Sequence, residues 1–188
     1  MDKLDLRRAA LHFIVGALII FISMRLRIVW HLFFLLVLGL ILSVLSKSYN
    51  IPVVSWFLKT FERPIYRKKF PGKGLLFLIA GSLLVLKLFP DSIAFASIAI
   101  VAVGDPISHM IAGNFKGKIF KKKSLSGFLL GVIIASMAAS LFVPFIYALA
   151  ASSAALIAEV LVIKLGEDPI DDNIIIPLVA GTVLYLLL

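Results

Sequence analysis

Long apolar runs constrain this chain more than any other feature, because they recur from residue 9 to the last residue. A helix that crosses a bilayer needs about 20 apolar residues, since the hydrocarbon is about 30 Å thick and each residue rises about 1.5 Å. With 62% apolar residues and a mean hydropathy of +1.11, the chain lacks the polar surface of a water-soluble domain. The sequence therefore predicts an all-α, polytopic integral membrane helical bundle.

The length permits six or seven transmembrane helices, and about seven are predicted, within a single domain that covers residues 1–188. The last of them is the least regular, because Pro177 lacks a backbone donor and crowds the carbonyl of Asn173. Small residues in ASMAAS and AASSAA predict close packing of the fifth span against the sixth. The predicted spans are 9–24, 28–46, 74–90, 91–113, 125–143, 145–163 and 173–188.

The distribution of Lys and Arg predicts the orientation of the bundle. Alternate connections place 16 of the 19 cations on one side, and only Arg25, Arg27 and Lys87 on the other. By the positive-inside rule, the N-terminus and the long connections face the cytoplasm and the C-terminus faces outward. The pI of about 9.9 is explained by this asymmetry and by anionic lipid head groups, so no nucleic-acid partner is inferred. The chain has no Cys, which excludes thiolate metal sites and cysteine nucleophiles.

Asp105 is the residue that points most directly to a function. It lies in the apolar run SIAIVAVGDPISHMIAG, near the inner end of the fourth span. A charge in hydrocarbon costs about 2.5–3.5 kcal/mol, so an acid at this depth indicates a functional group that faces the bundle interior. The flanking Gly104 and Pro106 predict a broken helix with polar backbone around the acid. The alternatives are an ion pair with a nearby Lys or a position in water just beyond the helix.

Two further acidic features lie at the same predicted depth. Glu159 lies about one turn before the inner end of the sixth span, where it faces the same cavity as Asp105 or pairs with Lys164. The segment EDPIDDN, residues 167–173, places four carboxylates and an amide just before the last span. Crowded oxygen ligands favour Mg²⁺, whereas a solvated loop or a helix cap needs no metal.

Two basic loops, predicted at residues 61–74 and 113–124, are expected to face these acids. Lysines on a Gly-containing loop can hold a polyphosphate, although basic inner loops are also ordinary topology signals. There is no Walker A pattern, so a P-loop is not expected. The predicted nucleotide-binding residues are Gly113, Gly117, Lys121, Lys122, Lys123, Ser124 and Gly127.

Three histidines are candidates for proton transfer or for hydrogen bonds within the bundle. His12 shares a helix face with Arg8 and Gly16, and that face is expected to meet the acidic cavity. His109 lies four residues after Asp105, where it can orient the carboxylate. His31 has no neighbour in the sequence that favours a catalytic role over a buried hydrogen bond.

GDPISHMIAGNF, KKSLSG, AEV and DDNIIIPL, in this order and at membrane ends, resemble the polyprenol kinase family, which includes dolichol kinase, phytol kinase and CTP-dependent diacylglycerol kinases. The resemblance extends from Arg8 to the C-terminus. It implies a kinase that phosphorylates a lipid alcohol with CTP and Mg²⁺ in dolichyl-phosphate-type lipid metabolism. The residues that it matches to the family signature are Asp105, Lys122, Lys123, Ser124 and Gly127. Arg8 and His12 match a motif of the first helix, and Asp171, Asp172, Asn173 and Pro177 match the late motif.

The chain departs from the family signature at four positions. Ser108 lies at an Ala position, and Ala112 and Lys116 lie where Gly is expected. Ser126 replaces a Glu, so any role of that Glu passes to Glu159 or to the pair Asp171 and Asp172.

The residues and the resemblance together predict the following chemistry. Asp105, with Asp171 or Asp172, holds Mg²⁺, and Asp105 or Glu159 accepts the proton of the lipid hydroxyl. Arg8, His12 and Asn173 contact the lipid alcohol or support the fold. Two other functions share parts of the pattern. A cytidylyltransferase acting on a lipid phosphate needs the same acids, and an ion or phosphate transporter would use Asp105 and Glu159 as a midplane ion site.

Overall fold

The computed structural model describes residues 3–26, 29–112, 118–120, 123–161, 164–165 and 168–188. Helices dominate these residues, and two short antiparallel strand pairs, β1–β2 and β3–β4, connect the later helices. In chain order the elements are α1 (Lys3–Leu26), α2 (Trp30–Ser48), α3 (Pro52–Phe61), α4 (Pro64–Lys69), α5 (Lys73–Leu88), α6 (Asp91–Ala112), β1 (Lys118–Phe120), β2 (Lys123–Ser124), α7 (Leu125–Ala139), α8 (Phe145–Val160), β3 (Lys164–Leu165), β4 (Asp168–Pro169) and α9 (Asp172–Leu187).

Each predicted span coincides with a helix: α1, α2, α5, α6, α7, α8 and α9. Among the residues that the structure describes, three helical segments are long and apolar enough to cross a membrane, namely Lys3–Leu26, Trp30–Ser48 and Asp91–Ser108. The helices Leu125–Ala139, Phe145–Val160 and Asp172–Leu187 are apolar but shorter. The structure therefore confirms a helical membrane protein, while the count of seven spans stays a prediction.

The exposed surface of α2 indicates that this helix faces lipid rather than water. Only Leu32 and Ser43 of this helix are buried, yet most of its side chains are apolar. Phe34 is 67% exposed and Val44 is 65% exposed. Exposure of this apolar surface to water would be unfavourable, whereas its contact with lipid hydrocarbon is not.

Helix α6 lies at the centre of the bundle and contacts α1, α5, α7, α8 and α9. Ile98, Ile100 and Val101 on this helix are completely buried. A Cβ atom at Gly16 of α1 would collide with the Cβ of Ala102, so the missing side chain lets α1 approach α6 closely. This contact fixes the register between the two helices.

Small residues also join α7 to α8, as the sequence predicts. Ala135, Ser136 and Ala139 are buried on α7, and Ala151 and Ala155 are buried on α8. The two helices contact each other along this face. Without large side chains the backbones come close, and van der Waals contact stabilises their association in lipid.

Two expectations about local structure are wrong. Helix α6 continues through Pro106 to Ala112, so the predicted break beside Asp105 is absent. Proline removes one backbone hydrogen bond, from the carbonyl of Ala102, and the packing of α6 on its neighbours maintains the helix across that gap. The connection 61–74 is not a loop, because it contains the end of α3, all of α4 and the start of α5. Pro52 and Pro64 begin the two short helices at positions where the missing donor costs nothing.

The termini of α1, α5 and α9 define a polar end of the bundle, marked by Arg8, Lys73 and Asp171. The opposite end is marked by Phe89, whose ring lies 6.0 Å from that of Tyr185 near the end of α9. Helix α6 begins just after Phe89, so it runs back towards the polar end. The C-terminal part of α6, with Asp105, therefore points to the same end as Arg8 and Lys73.

Candidate functional site

The side chain of His12 joins the first helix to the last one. Its Nε2–H donates to Oδ1 of Asn173 at 3.1 Å, and its Nδ1 lies 3.2 Å from the carbonyl oxygen of Arg8. His12 and Asn173 are both buried, with 8% and 7% of their surface exposed. Two residues 161 positions apart thus share one hydrogen bond inside the bundle.

The orientation of the Asn173 amide follows from Asp171. The Nδ2 group of Asn173 donates to Oδ1 of Asp171 at 2.8 Å, and a carboxylate can only accept. Oδ1 of Asn173 must therefore face His12. The Arg8 carbonyl is also only an acceptor, so both ring nitrogens of His12 face acceptors.

Asp171 is the N-cap of α9. Its Oδ1 also accepts from the backbone N–H of Asn173 at 3.2 Å, which satisfies a donor that the first turn cannot. Its Oδ2 lies 3.3 Å from Nζ of Lys73, at the start of α5. Lys73 also lies over the rings of Tyr66 and Phe77, at 5.4 and 5.5 Å. One lysine therefore holds α4, α5 and the start of α9 together.

A close backbone contact also fixes the start of α9. A Cβ atom at Gly81 of α5 would collide with the carbonyl oxygen of Asn173, and would lie 3.2 Å from Cγ of Pro177. Pro177 cannot donate to that carbonyl, so the helix bond at Asn173 is missing, as the sequence predicts. Only glycine at position 81 lets the two helices meet there.

Glu62 lies between α3 and α4 and is only 6% exposed, although the surrounding segment is basic. Its Oε1 accepts from the backbone N–H of Arg63 at 3.1 Å. Burial raises the pKa of Glu62 above its usual 4.5, while the backbone N–H groups of Arg63 and Gly74 and the charges of Arg8 and His12 oppose this rise. Glu62 therefore lies near Arg8 and His12 of α1, and His12 is the side chain that also bonds Asn173.

A small cavity lies beside these charged groups, with room for about one water-sized group. Its volume is about 10 Å³. Three polar side chains line it together with apolar residues of α1, α3 and α5. The lining residues are Arg8, Leu11, His12, Phe57, Phe61, Glu62, Gly74 and Leu75.

Asp105 and Glu159 lie in a second region, formed by α6, α7 and α8. Glu159 is buried at 6% exposure and Asp105 is half-buried. A Cβ at Gly104 would lie 3.5 Å from Leu156, and one at Gly131 would lie 3.0 Å from Ser108. Gly104 adjoins Asp105, and Leu156 lies one turn before Glu159 on the same face. The backbone next to Asp105 therefore packs against the face of α8 that carries Glu159.

The depth of Asp105 can be compared with that of His12. Gly16 packs on Ala102, and α1 and α6 run in opposite directions. One turn from this contact towards the polar end is His12 on α1, and Asp105 or Pro106 on α6. His12 and Asp105 thus lie at the same level, although neither Asp105 nor Glu159 lines the cavity beside Glu62.

Some of the other predicted site residues lie within the part of the chain that the structure describes, and the rest lie outside it. Gly127 is buried in α7, Lys123 and Ser124 form β2, and His109 lies in α6. Asp172 is half-buried in the first turn of α9. Gly113, Gly117, Lys121 and Lys122 lie outside the described residues. Within the described part of the chain, no group of three or more His, Asp or Glu is placed to hold a metal ion.

Glu62 and Lys73 are the polar residues of this region that sequence reasoning missed. Both lie in the basic connection, where their charges were interpreted as topology signals. One signal could have identified Glu62, because it is the only acid among the cations of residues 59–73. Nothing in the local sequence indicates that Lys73 meets Asp171, which lies almost a hundred residues later.

Comparison with known proteins gives two similar chains. The chain is 31% identical to the uncharacterized protein MJ1137 of Methanocaldococcus jannaschii, over 96% of this chain and 92% of the relative. It is 28% identical to CTP-dependent diacylglycerol kinase 1 of Schizosaccharomyces pombe, over 74% of this chain and 72% of that protein. No protein-family profile matches the chain. No solved structure matches it.

Proposed function

The chain belongs to the same family as the uncharacterized protein MJ1137, and we propose that it is a CTP-dependent kinase that phosphorylates a membrane lipid alcohol. The observation that carries this proposal is the distant similarity to a CTP-dependent diacylglycerol kinase over about three quarters of the chain. The proposed enzyme is a single membrane domain of seven spans, residues 1–188, with its N-terminus and its active site on the cytoplasmic face. The positive-inside rule supports this orientation.

The distribution of polar groups supports a reaction at the membrane surface. The bundle is apolar along most of its length, and His12, Glu62, Lys73 and Asp171 gather at one end. A lipid alcohol stays in the bilayer and CTP stays in water, so the two meet only where the bilayer borders the cytoplasm. The protein would serve mainly to position them, which accounts for much of the rate gain in phosphoryl transfer.

In the proposed reaction the lipid hydroxyl oxygen attacks the γ-phosphorus of CTP. A new O–P bond forms, the bond between the γ-phosphorus and the β–γ bridging oxygen breaks, and CDP leaves. Asp105 or Glu159 accepts the hydroxyl proton. Lys121, Lys122 and Lys123, with Ser124 and the glycines 113, 117 and 127, hold the triphosphate, and His109 orients Asp105.

Mg²⁺ is part of the proposal because the candidate ligands are hard carboxylate oxygens. Protein sites for Mg²⁺ commonly supply one or two carboxylates, and phosphates and water complete the shell. Asp105 and Asp172 are sufficient for such a set, even though the described residues contain no three-ligand group. Asp171 is a third candidate, but in the structure its oxygens are engaged with Asn173 and Lys73. When bound, the ion would neutralise charge on the triphosphate.

The lipid substrate is proposed to be a polyprenol or dolichol-like alcohol, as the sequence motifs suggest. Diacylglycerol is the alternative that the name of the S. pombe protein provides. Both are neutral lipids with one hydroxyl group near the membrane surface. Assaying a short polyprenol and a short diacylglycerol in parallel will distinguish them.

The experiment that tests the function is a product analysis with purified protein and CTP labelled separately at the α and γ positions. A kinase transfers the γ label to a lipid alcohol and releases CDP. A cytidylyltransferase instead transfers the α label to a lipid phosphate and releases pyrophosphate. Release of pyrophosphate with a lipid phosphate, and no transfer to any alcohol, would overturn the proposal.

A transporter is the rival from a different class, and a second experiment addresses it. Protein in liposomes is expected to show no uptake of phosphate or cations without nucleotide. Asp105 and Glu159 lie towards one end of their helices rather than at the middle, which favours an enzyme over a midplane ion site.

A further inference from the structure

We propose that the cavity between α1, α3 and α5 receives the hydroxyl head of the lipid substrate, and that Glu62 in this cavity selects an alcohol over a lipid phosphate. The inference rests on the proposed kinase function and deepens it. Glu62 lies outside the motifs that carry the resemblance, and its role follows from its burial and its neighbours.

The walls of the cavity match an amphiphile. Arg8, His12 and Glu62 provide charged and hydrogen-bonding groups on one part of the lining. Phe57, Phe61 and two leucines provide the remainder, apart from Gly74. A lipid that ends in a hydroxyl group has the same division between a polar head and an apolar chain. Sites for small molecules commonly combine apolar walls with a few polar groups in this way.

The size of the cavity limits the group that enters it. A volume of about 10 Å³ accommodates one water molecule or one hydroxyl group. A phosphate group is several times larger than a water molecule. The cavity as it stands therefore suits the alcohol before transfer better than the phosphate ester after transfer.

The charges make the same distinction. A hydroxyl group can donate to the Glu62 carboxylate while it accepts from the Arg8 guanidinium, so its donor and its acceptor both find a partner. A phosphate could pair with Arg8, but it would also face the buried carboxylate of Glu62. Like charges at short range in a poorly solvated site repel strongly. Glu62 is thus expected to weaken the binding of a lipid phosphate and to favour release of the product.

The cavity is connected to the predicted catalytic residues through α1. His12 lines it, and the same ring bonds Asn173 at the start of α9, next to Asp172. His12 also lies at the level of Asp105. A hydroxyl group held beside His12 and Glu62 would therefore lie at the depth where the predicted acids accept a proton.

The chain contains its own reporter for this cavity. Trp56 on α3 packs edge-on against Phe61, a lining residue, with 6.4 Å between ring centroids. The only other tryptophan is Trp30, near the opposite end of the bundle. In a Trp30→Phe background the fluorescence of Trp56 reports binding without any enzymatic turnover.

The test titrates this protein in detergent micelles with a short polyprenol and its monophosphate, and in parallel with dioctanoylglycerol and dioctanoyl phosphatidic acid. The alcohol is expected to change Trp56 emission at lower concentration than the phosphate. Adding Glu62→Gln should weaken alcohol binding and tighten phosphate binding, each about tenfold, which corresponds to about 1.4 kcal/mol. Asp91→Asn, which removes an exposed acid at the other end of the bundle, is the matched control and should change neither.

A gain of phosphate affinity cannot arise from misfolding, so it separates specificity from damage. Unchanged binding of both lipids by E62Q would overturn the inference and leave the kinase proposal intact. A different result would separate the two proposals in the other direction. If the protein transfers no phosphate from CTP, but the Trp56 signal shows alcohol binding that depends on Glu62, the kinase proposal is contradicted and the role of the cavity is supported.

A second measurement uses unaltered protein in case E62Q does not fold. A photoreactive dioctanoylglycerol that carries a diazirine near its hydroxyl end should label peptides from α1 or α3. Labelling confined to other helices would overturn the inference.

Discussion

The hydrogen bond between His12 and Asn173 can be tested by removing each side chain singly and both together. In His12→Ala, Oδ1 of Asn173 loses its donor within a region where both side chains are more than nine-tenths buried. An unsatisfied buried group costs about 1–3 kcal/mol. Asn173→Ala also removes the 2.8 Å bond to the Asp171 carboxylate, so it should destabilise the protein more than His12→Ala does.

The double variant isolates the bond itself. Hydrogen bonds between membrane helices give coupling energies of about 0.6 kcal/mol on average and about 1.7 kcal/mol at most. Because this bond is buried and its amide is held by Asp171, we expect a coupling of about 1 kcal/mol, in the upper half of that range.

The assay is reversible unfolding of the purified protein in mixed micelles as the mole fraction of sodium dodecyl sulfate increases. A control pair combines His31→Ala with Asn173→Ala, because His31 lies beside Trp30, whose neighbour Lys87 is near the far end of α5. The control pair should be additive. A His12–Asn173 coupling within about 0.2 kcal/mol of zero, well below the average for such bonds, would refute the hydrogen bond.

Four further outcomes are expected. Lys73→Met should lower the free energy of unfolding by about 1–2 kcal/mol, between the values for exposed and buried ion pairs, as measured by detergent unfolding, and Lys73→Arg should recover part of the loss. Gly81→Ala should destabilise by about 1–3 kcal/mol, because the new methyl group meets the Asn173 backbone; Leu84→Ala, at an exposed position of the same helix, is the control, and equal losses would contradict the contact. Because the pKa of Glu62 is raised in the folded state, its contribution to stability is present below pH 4.5 and is lost as the pH rises through the raised pKa. The stability of E62Q relative to the unaltered protein should therefore increase with pH over that window. A stability difference that does not change with pH would argue against burial of this carboxyl group. Chelation by EDTA should abolish phosphate transfer from CTP, and excess Mg²⁺ should restore it; full activity in EDTA would exclude the proposed ion.

The apolar helices could be predicted from the sequence because each is encoded locally. A run such as residues 28–46 has one stable solution in lipid, which is a helix, and α2 begins and ends within two residues of that range. The short helices α3 and α4 were not predicted, because a membrane span is recognised by an apolar run of about 20 residues and neither helix has one. The break expected at Pro106 was wrong because neighbouring helices support α6 where one hydrogen bond is lost.

The polar end could be predicted only in part. The sequence predicted that Arg8, His12 and Asn173 contact the lipid alcohol or support the fold, and the structure brings His12 and Asn173 into contact. Spacing alone carries no information on which residue of another helix a side chain meets, so the partners of Glu62 and Lys73 could not be inferred. The cluster that was expected around Asp105, Glu159 and Asp172 stays a prediction, as do the roles of the basic residues 121–123.

The most direct test of the account is transfer of label from γ-labelled CTP to a lipid alcohol by the unaltered protein and by Asp105→Asn. Asn has nearly the same shape as Asp but can neither accept the proton nor bind the ion as a carboxylate does. We predict a labelled lipid phosphate with the unaltered protein and a rate that is at least a hundredfold lower with D105N, in line with the typical contribution of a general base. The rate with Asp91→Asn should be unchanged. Transfer by D105N at the rate of the unaltered protein would contradict the central role assigned to this residue.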